Sequence, residues 1–146
     1  MAGKTAGIEQ LTPPEAWSAL QDGGALVDVR TRPEWTFVGL PDLAPLGQQP
    51  ILIEWKTWPV MAANPGFVDE VMATLGDAAP QRLLFLCRSG ARSQDAALAV
   101  QAAFDAGGVA SACCNVAEGF EGDLASDGRR GSLNGWKARG LPWRQS

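Results

Sequence analysis

A four-residue apolar run, Leu83-Leu84-Phe85-Leu86, stops abruptly at Cys87-Arg88-Ser89-Gly90-Ala91-Arg92-Ser93, and a helix-like run from Gln94 to Phe104 follows directly. An apolar run this short reads as a strand buried on both faces. A strand covered on both sides that feeds at once into a helix is the building unit of a parallel sheet, because parallel neighbours need a crossover connection. This junction constrains the fold more than any other feature of the chain. It also places a thiol, two guanidiniums and a glycine beyond the carboxyl end of a strand, where ligands bind in open α/β sheets.

The rest of the chain repeats the alternation. Thr12-Pro13-Pro14-Glu15 predicts a helix start, with Thr12 as cap and Glu15 three residues on, and the helix runs to Gly23-Gly24. Ala25 to Val29 predicts a strand ending at Arg30, and Pro33 and Glu34 a brief helical turn through Trp35 and Phe37. Residues 39–50 read as a loop, Ile51 to Ile53 as a strand, and 55–65 as a connection carrying Trp55 and Trp58. Phe67, Val68, Val71, Met72 and Leu75 keep to one helical face and predict a helix over 67–75, closed by Gly76. The helix after Cys87 is apolar nearly all round, which predicts deep burial, and it stops at Gly107-Gly108. Residues 109–116 are a last strand candidate and Trp136 to Arg139 a helical turn. Residues 1–10 read as a flexible lead, 11–146 as a single domain, and the five glycines of 119–135 as a long loop insertion. The expected class is α/β, with helices on both faces of a parallel sheet.

Composition narrows the chemistry. The 146 residues contain no histidine and no tyrosine, which removes Ser-His-Asp and Cys-His catalysis and any imidazole metal site. A net charge of −4 gives no footprint for nucleic acid, and Arg129-Arg130 is too short for a basic patch. Three cysteines are too few for a disulfide framework, so the thiols are expected reduced, as in a cytoplasm. Met1 to Gln10 lacks the apolar core of a secretory signal, and no stretch approaches the ~20 apolar residues of a membrane span.

Cys87 is therefore the candidate nucleophile. A helix N-terminus and nearby arginines favour a thiolate, so a thiol in this loop is expected to ionise readily. Gly90 permits a positive φ, Ser93 is placed to cap the helix, and successive N–H groups of the loop are expected to ring the sulfur as an anion nest. Arg88 and Arg92 would attract an anionic substrate. Asp28, in an apolar strand, needs a polar partner. Arg30 and Glu34, four apart, are a candidate ion pair. Cys113 and Cys114 alternate in a strand, so only one can face a given side. One of them is a candidate resolving thiol, although a small buried residue is the preferred reading. Arg129, Arg130 and Asp123 either cover the Cys87 mouth or belong to a solvated insertion, the latter preferred. Trp55 and Trp58 are the best candidates for an exposed partner patch.

The Cys87–Ser93 segment resembles the active-site loop of rhodanese-type sulfurtransferases. The likeness extends to Leu26-Val27-Asp28-Val29-Arg30 with Glu34, and to Gly135-Trp136-Lys137-Ala138-Arg139-Gly140-Leu141-Pro142, covering roughly residues 10–143. It implies a rhodanese-like, five-stranded parallel sheet, a persulfide at Cys87, a cradle of Arg88, Ser89, Gly90, Ala91 and Arg92, and bracing by Asp28 and Arg30. It implies no metal and no organic cofactor. The family's common Gly-His-Ile-Pro-Gly-Ala segment is replaced by Val38-Gly39-Leu40-Pro41-Asp42-Leu43-Ala44, without the histidine.

Loop length separates two chemistries. Related phosphatases carry one more residue between Cys and Arg, whereas four residues separate Cys87 from Arg92. The loop also lacks a carboxylic acid to protonate a leaving alcohol. The expected activity is transfer of sulfane sulfur from a donor such as thiosulfate to cyanide, a small thiol or a protein cysteine. A relay or regulatory module loaded by a partner protein is the alternative, and a Cys-loop phosphatase or arsenate reductase ranks below it.

Overall fold

The computed structural model describes residues 3–145. Its central sheet is built from β1 (Lys4–Thr5), β2 (Ile8–Leu11), β3 (Ala25–Asp28), β5 (Ile51–Leu52), β8 (Arg82–Leu86) and β9 (Ala112–Val116), in the order β1-β2-β9-β8-β3-β5. Five of these strands run parallel, and β1 pairs antiparallel with β2 at the edge. The sheet thus has six strands rather than five. The extra strand and its neighbour come from the segment read as a flexible lead. Of that lead, Met1 and Ala2 lie outside the described residues, while β1 and most of β2 stand in the sheet. Ile8 and Leu11 are buried, and Ala6 and Gly7, both at positive φ, turn the chain between β1 and β2.

Two small antiparallel pairs flank the sheet. β4 (Leu40–Pro41) pairs with β10 (Trp143–Arg144), and β6 (Lys56–Thr57) with β7 (Ala62–Ala63). The helices are α1 (Pro13–Gln21), α2 (Phe67–Leu75) and α3 (Ala91–Gly107). None of them is long and apolar enough to cross a membrane. The capping box forms as expected: the Glu15 N–H donates to Thr12 Oγ1 at 3.4 Å and the Thr12 N–H to Glu15 Oε1 at 2.9 Å.

Alternation along the strands divides the core into two layers. Val27, Val29, Leu83, Phe85, Cys87 and Cys113 face α2 and α3, meeting Phe67, Val71, Ala96, Ala97, Val100 and Phe104. Leu26, Leu84, Leu86, Cys114 and Val116 face α1 and the closing segment, meeting Ala16, Leu20, Phe120 and Trp136. Helix α3 buries only one face: Ala102 and Ala106 are exposed, because alanine reads as apolar yet tolerates water. The turn after Pro33 is a π-helical turn over Glu34–Val38.

Candidate active site

β8 ends at Leu86, and α3 begins at Ala91 rather than Gln94. Gly90 makes the early start possible, since its φ of +112° bends the backbone straight into the helix. Arg92 and Ser93 are consequently in the first turn of α3. Ser93 does not cap the helix: Gly90 is the N-cap residue and no side chain caps it. The Ser93 side chain instead turns inward, fully buried, with Oγ 3.2 Å from Cys87 Sγ. The Gly90 N–H donates to the same sulfur at 3.1 Å. The sulfur is therefore held by one amide and one hydroxyl, not by a full ring of loop amides. The first-turn N–H groups of Ala91 and Arg92 have no partner within the helix, as at any helix start, and a cavity of about 160 Å³ lined by Cys87, Arg88, Ser89, Ala91 and Arg92 lies at this junction.

A residue the sequence reading passed over holds both sulfur contacts in place. Asn115, on neighbouring β9 and 2% exposed, accepts from Ser93 Oγ at 2.6 Å and donates to the Gly90 carbonyl at 3.1 Å. Its amide also donates to Gln10 Oε1 at 2.9 Å, and Gln10 donates to Gln94 Oε1. A polar chain, buried at Ser93 and Asn115 and half-buried at Gln10 and Gln94, thus runs from the sulfur to β2. Ser93 has a single proton to give, shared between Asn115 and Cys87. The signal for Asn115 was present in the sequence, since an asparagine in an otherwise apolar strand needs a partner.

The arginines divide their work. Arg30 does not pair with Glu34. It folds back on Asp28, with Nη2–Oδ2 at 2.7 Å and both side chains fully buried, while the Arg30 N–H and Nε donate to Oδ1. Arg30 Nη2 also donates to the Gly39 carbonyl at 2.8 Å, and its guanidinium lies 4.3 Å over the Phe120 ring. Glu34 pairs with Arg92 across 58 residues, in two parallel bonds of 2.8 and 3.0 Å. Burial pushes the Glu34 carboxyl up, but the Arg92 guanidinium, with the Thr31 N–H and hydroxyl, outweighs it and holds the group below its ordinary value. Burial likewise works against the Arg92 charge, and Glu34 outweighs it with help from Cys87 and Asp28. Arg92 is thus a fixed wall of the site. Arg88 is exposed and forms no ion pair among the described residues, so it is the guanidinium free to meet an incoming anion.

The segment after β9 braces the loop from behind. The Phe120 N–H donates to the Cys87 carbonyl at 2.8 Å, and the N–H groups of Glu121 and Gly122 donate to the Arg88 carbonyl. The 119–135 loop is not merely a solvated insertion. Leu124 and Arg130 line a larger groove of about 730 Å³ that meets the Cys87 cavity at Arg88 and Arg92. Asp123 turns away to Asn134, and Arg129 is exposed.

Cys113 and Cys114 stand opposite Leu83 and Leu84, three to four residues back along the sheet from Cys87. At ~3.3 Å per residue that is about 10–13 Å, too far for a resolving thiol. Burial pushes both thiols up to about 12, with Cys114 and Asp105 adding to the shift at Cys113, and Glu9 at Cys114. All three cysteines are free. Of the two tryptophans considered for a partner patch, Trp58 is exposed, whereas Trp55 packs edge-on against Phe67 at 5.1 Å.

Fold and site together define a mixed α/β protein whose largely parallel sheet presents a cysteine at a strand–helix junction. No family model matches the chain. The chain belongs to the family of the "Uncharacterized protein RP600 homolog" of Rickettsia rickettsii, 31% identical over 138 residues that span 93% of this chain and 97% of that protein. The "Uncharacterized protein RC0915" of Rickettsia conorii is 32% identical with the same coverage. Among solved structures, the crystal structure of Rv0390 from M. tuberculosis is similar, with 44% identity, a TM-score of 0.76, and coverage of 94% of this chain and 97% of that one.

Proposed function

We propose that the protein is a rhodanese-type sulfurtransferase acting through a Cys87 persulfide. The observation that carries this reading is the seat of Cys87, 1% exposed, against a small cavity it lines with Arg88 and Arg92, with the Gly90 N–H and Ser93 Oγ both within bonding distance of Sγ. The Cys87 thiolate attacks the outer sulfur of thiosulfate. The S–S bond of the donor breaks and its electron pair leaves with sulfite, so Cys87 carries one added sulfur. An acceptor nucleophile, cyanide or a thiolate, then attacks that outer sulfur and expels the Cys87 thiolate. Sulfur moves at constant overall oxidation level, so neither a metal nor an organic cofactor is required.

Each protein group has a part in this scheme. Arg88 draws the dianionic donor and stabilises departing sulfite. The Gly90 N–H holds the anionic sulfur, Ser93 Oγ stands beside it with its one proton shared with Asn115, and the N-terminus of α3 adds ~0.3–1 kcal/mol. Arg92, locked by Glu34, shapes the cavity wall. The same lock disfavours phosphatase chemistry: the Glu34 carboxylate, bonded to Arg92 and Thr31 and held below its ordinary value, has no proton for a leaving alcohol. Three free thiols support a reducing compartment such as the cytoplasm for this activity.

The test is mass spectrometry after incubation with thiosulfate. One added sulfur on Cys87, absent from Cys87→Ser, is expected. An unmodified Cys87 after that incubation would overturn the assignment.

A further inference from the structure

We infer that the groove beside the Cys87 cavity is a docking site for a polypeptide acceptor, one whose cysteine lies between apolar residues with acidic residues next to them. The inference rests on the sulfurtransferase reading and names the acceptor class for it. Phe37, Trp58, Met61 and Leu124 are 77%, 59%, 38% and 57% exposed, and all four line this groove. They come from three separate segments: the π-helical turn, the tip of the β6–β7 hairpin and the 119–135 loop. Half of the large exposed apolar side chains among the described residues therefore converge on one entrance. Cyanide or thiosulfate gains nothing from such a rim, whereas aromatic and Met side chains around a pocket mark a surface that anchors another chain.

Charge sets the second half of the partner's description. The groove holds three arginines against two glutamates, on a chain whose net charge is −4. One arginine–glutamate pair is mutually satisfied. Arg88 and Arg130 form no ion pair among the described residues, and Arg130 is held toward the groove through the Gly122 carbonyl. An acceptor with carboxylates beside its apolar anchors meets both. The accepting thiolate attacks the outer sulfur of the Cys87 persulfide, the peptide becomes the persulfide, and Cys87 returns as thiolate.

The experiment uses the full chain charged with thiosulfate and three eight-residue peptides. The first carries one cysteine flanked by phenylalanine and leucine, with two aspartates beyond. The second replaces phenylalanine and leucine by glycine, and the third replaces the aspartates by lysine. The first peptide is expected to take sulfur at least tenfold faster than either other, with Trp58→Ala and Arg130→Gln each reducing that advantage relative to the rate with cyanide. Equal rates for the three peptides, with cyanide still accepting, would overturn the docking site and leave the sulfurtransferase reading intact. If no acceptor discharges Cys87, binding of the serine version of the first peptide, followed by anisotropy, decides the surface alone. Binding weakened by Trp58→Ala supports the docking site, and no binding overturns it. Self-association of the protein that Trp58→Ala abolishes would assign the face to a second copy and also overturn it.

Discussion

Asp28→Asn tests whether the buried ion pair beneath the site is held as the geometry implies. The wild-type carboxylate takes four contacts from Arg30, at 3.1, 3.0, 3.2 and 2.7 Å, with no solvent exposure on either side chain. The asparagine oxygen keeps the Oδ1 contacts, but its NH₂ group then faces the Arg30 Nη2 and Nε donors. A full positive charge stays buried without its counter-ion. Breaking a buried pair on one side costs ~3–5 kcal/mol. The Gly39 carbonyl and the Phe120 ring soften the loss, since an aromatic face is worth ~0.5–2 kcal/mol to a cation. The lower end, about 3 kcal/mol, is therefore expected, a large share of the ~5–15 kcal/mol that keeps a domain folded. Urea unfolding followed by circular dichroism should show the midpoint falling while the slope is unchanged, and the melting temperature dropping about 10 °C. The double variant Asp28→Leu with Arg30→Met should cost less than the single change, because no charge is left buried. A loss below about 1 kcal/mol in Asp28→Asn would mean that Arg30 escapes to water, and the bracing argument would fail.

Three further outcomes follow from the same geometry. A Cβ on Gly119, at φ +70°, would lie 2.4 Å from the Arg88 carbonyl oxygen, so Gly119→Ala should cost about 2–4 kcal/mol in urea unfolding and move the Cys87 loop; Gly128→Ala, at φ +81° in open space, should cost only ~1–2 kcal/mol. Glu34 binds its proton less readily folded than unfolded, so its stabilising contribution is complete above its ordinary value of 4.5 and is lost as pH falls through the lower folded value; Glu34→Gln should remove that component of the acid limb in pH-dependent unfolding. Iodoacetamide at neutral pH should label Cys113 and Cys114 far more slowly in the folded protein than in urea, because burial raises both thiols to about 12, and peptide mapping that finds either labelled as fast as in urea would refute this.

Local signals in the sequence survived folding where a residue's neighbours in the chain are also its neighbours in space. The Thr12–Glu15 box and the one-faced pattern of α2 between Gly66 and Gly76 are of this kind. Residues 4–11 form strands for a reason that no local pattern carries. β2 is buried at Ile8 and Leu11 only, which is not a period of two, and it pairs with β9 about a hundred residues away. Its hairpin turns on Ala6-Gly7, which lacks the Asn or Asp that usually announces such a turn. The expected Arg30–Glu34 pair borrowed the four-residue spacing of an α-helix, yet the chain there passes from a strand through a bend into a π-helical turn. Glu34 instead found Arg92, a partnership no local pattern reveals.

The inward turn of Ser93 ties the parts of the site together. With Gly90 beginning the helix three residues early, Ser93 rotates from the mouth to the floor and becomes a ligand of the sulfur. That change is tolerable only if something occupies its second bond, and Asn115 on β9 does so while also gripping the Gly90 carbonyl. The two crossings then lock each other: a Cβ on Gly90 would meet the Ala117 carbonyl at 2.3 Å, and one on Gly119 would meet that of Arg88. Neither the Cys87 loop nor the strand end beside it has room to shift alone. The thiol's surroundings are thus set by β9 and its exit as much as by the Cys87 motif, so a chain that kept the motif but lost Asn115 or Gly119 should keep Cys87 without its geometry.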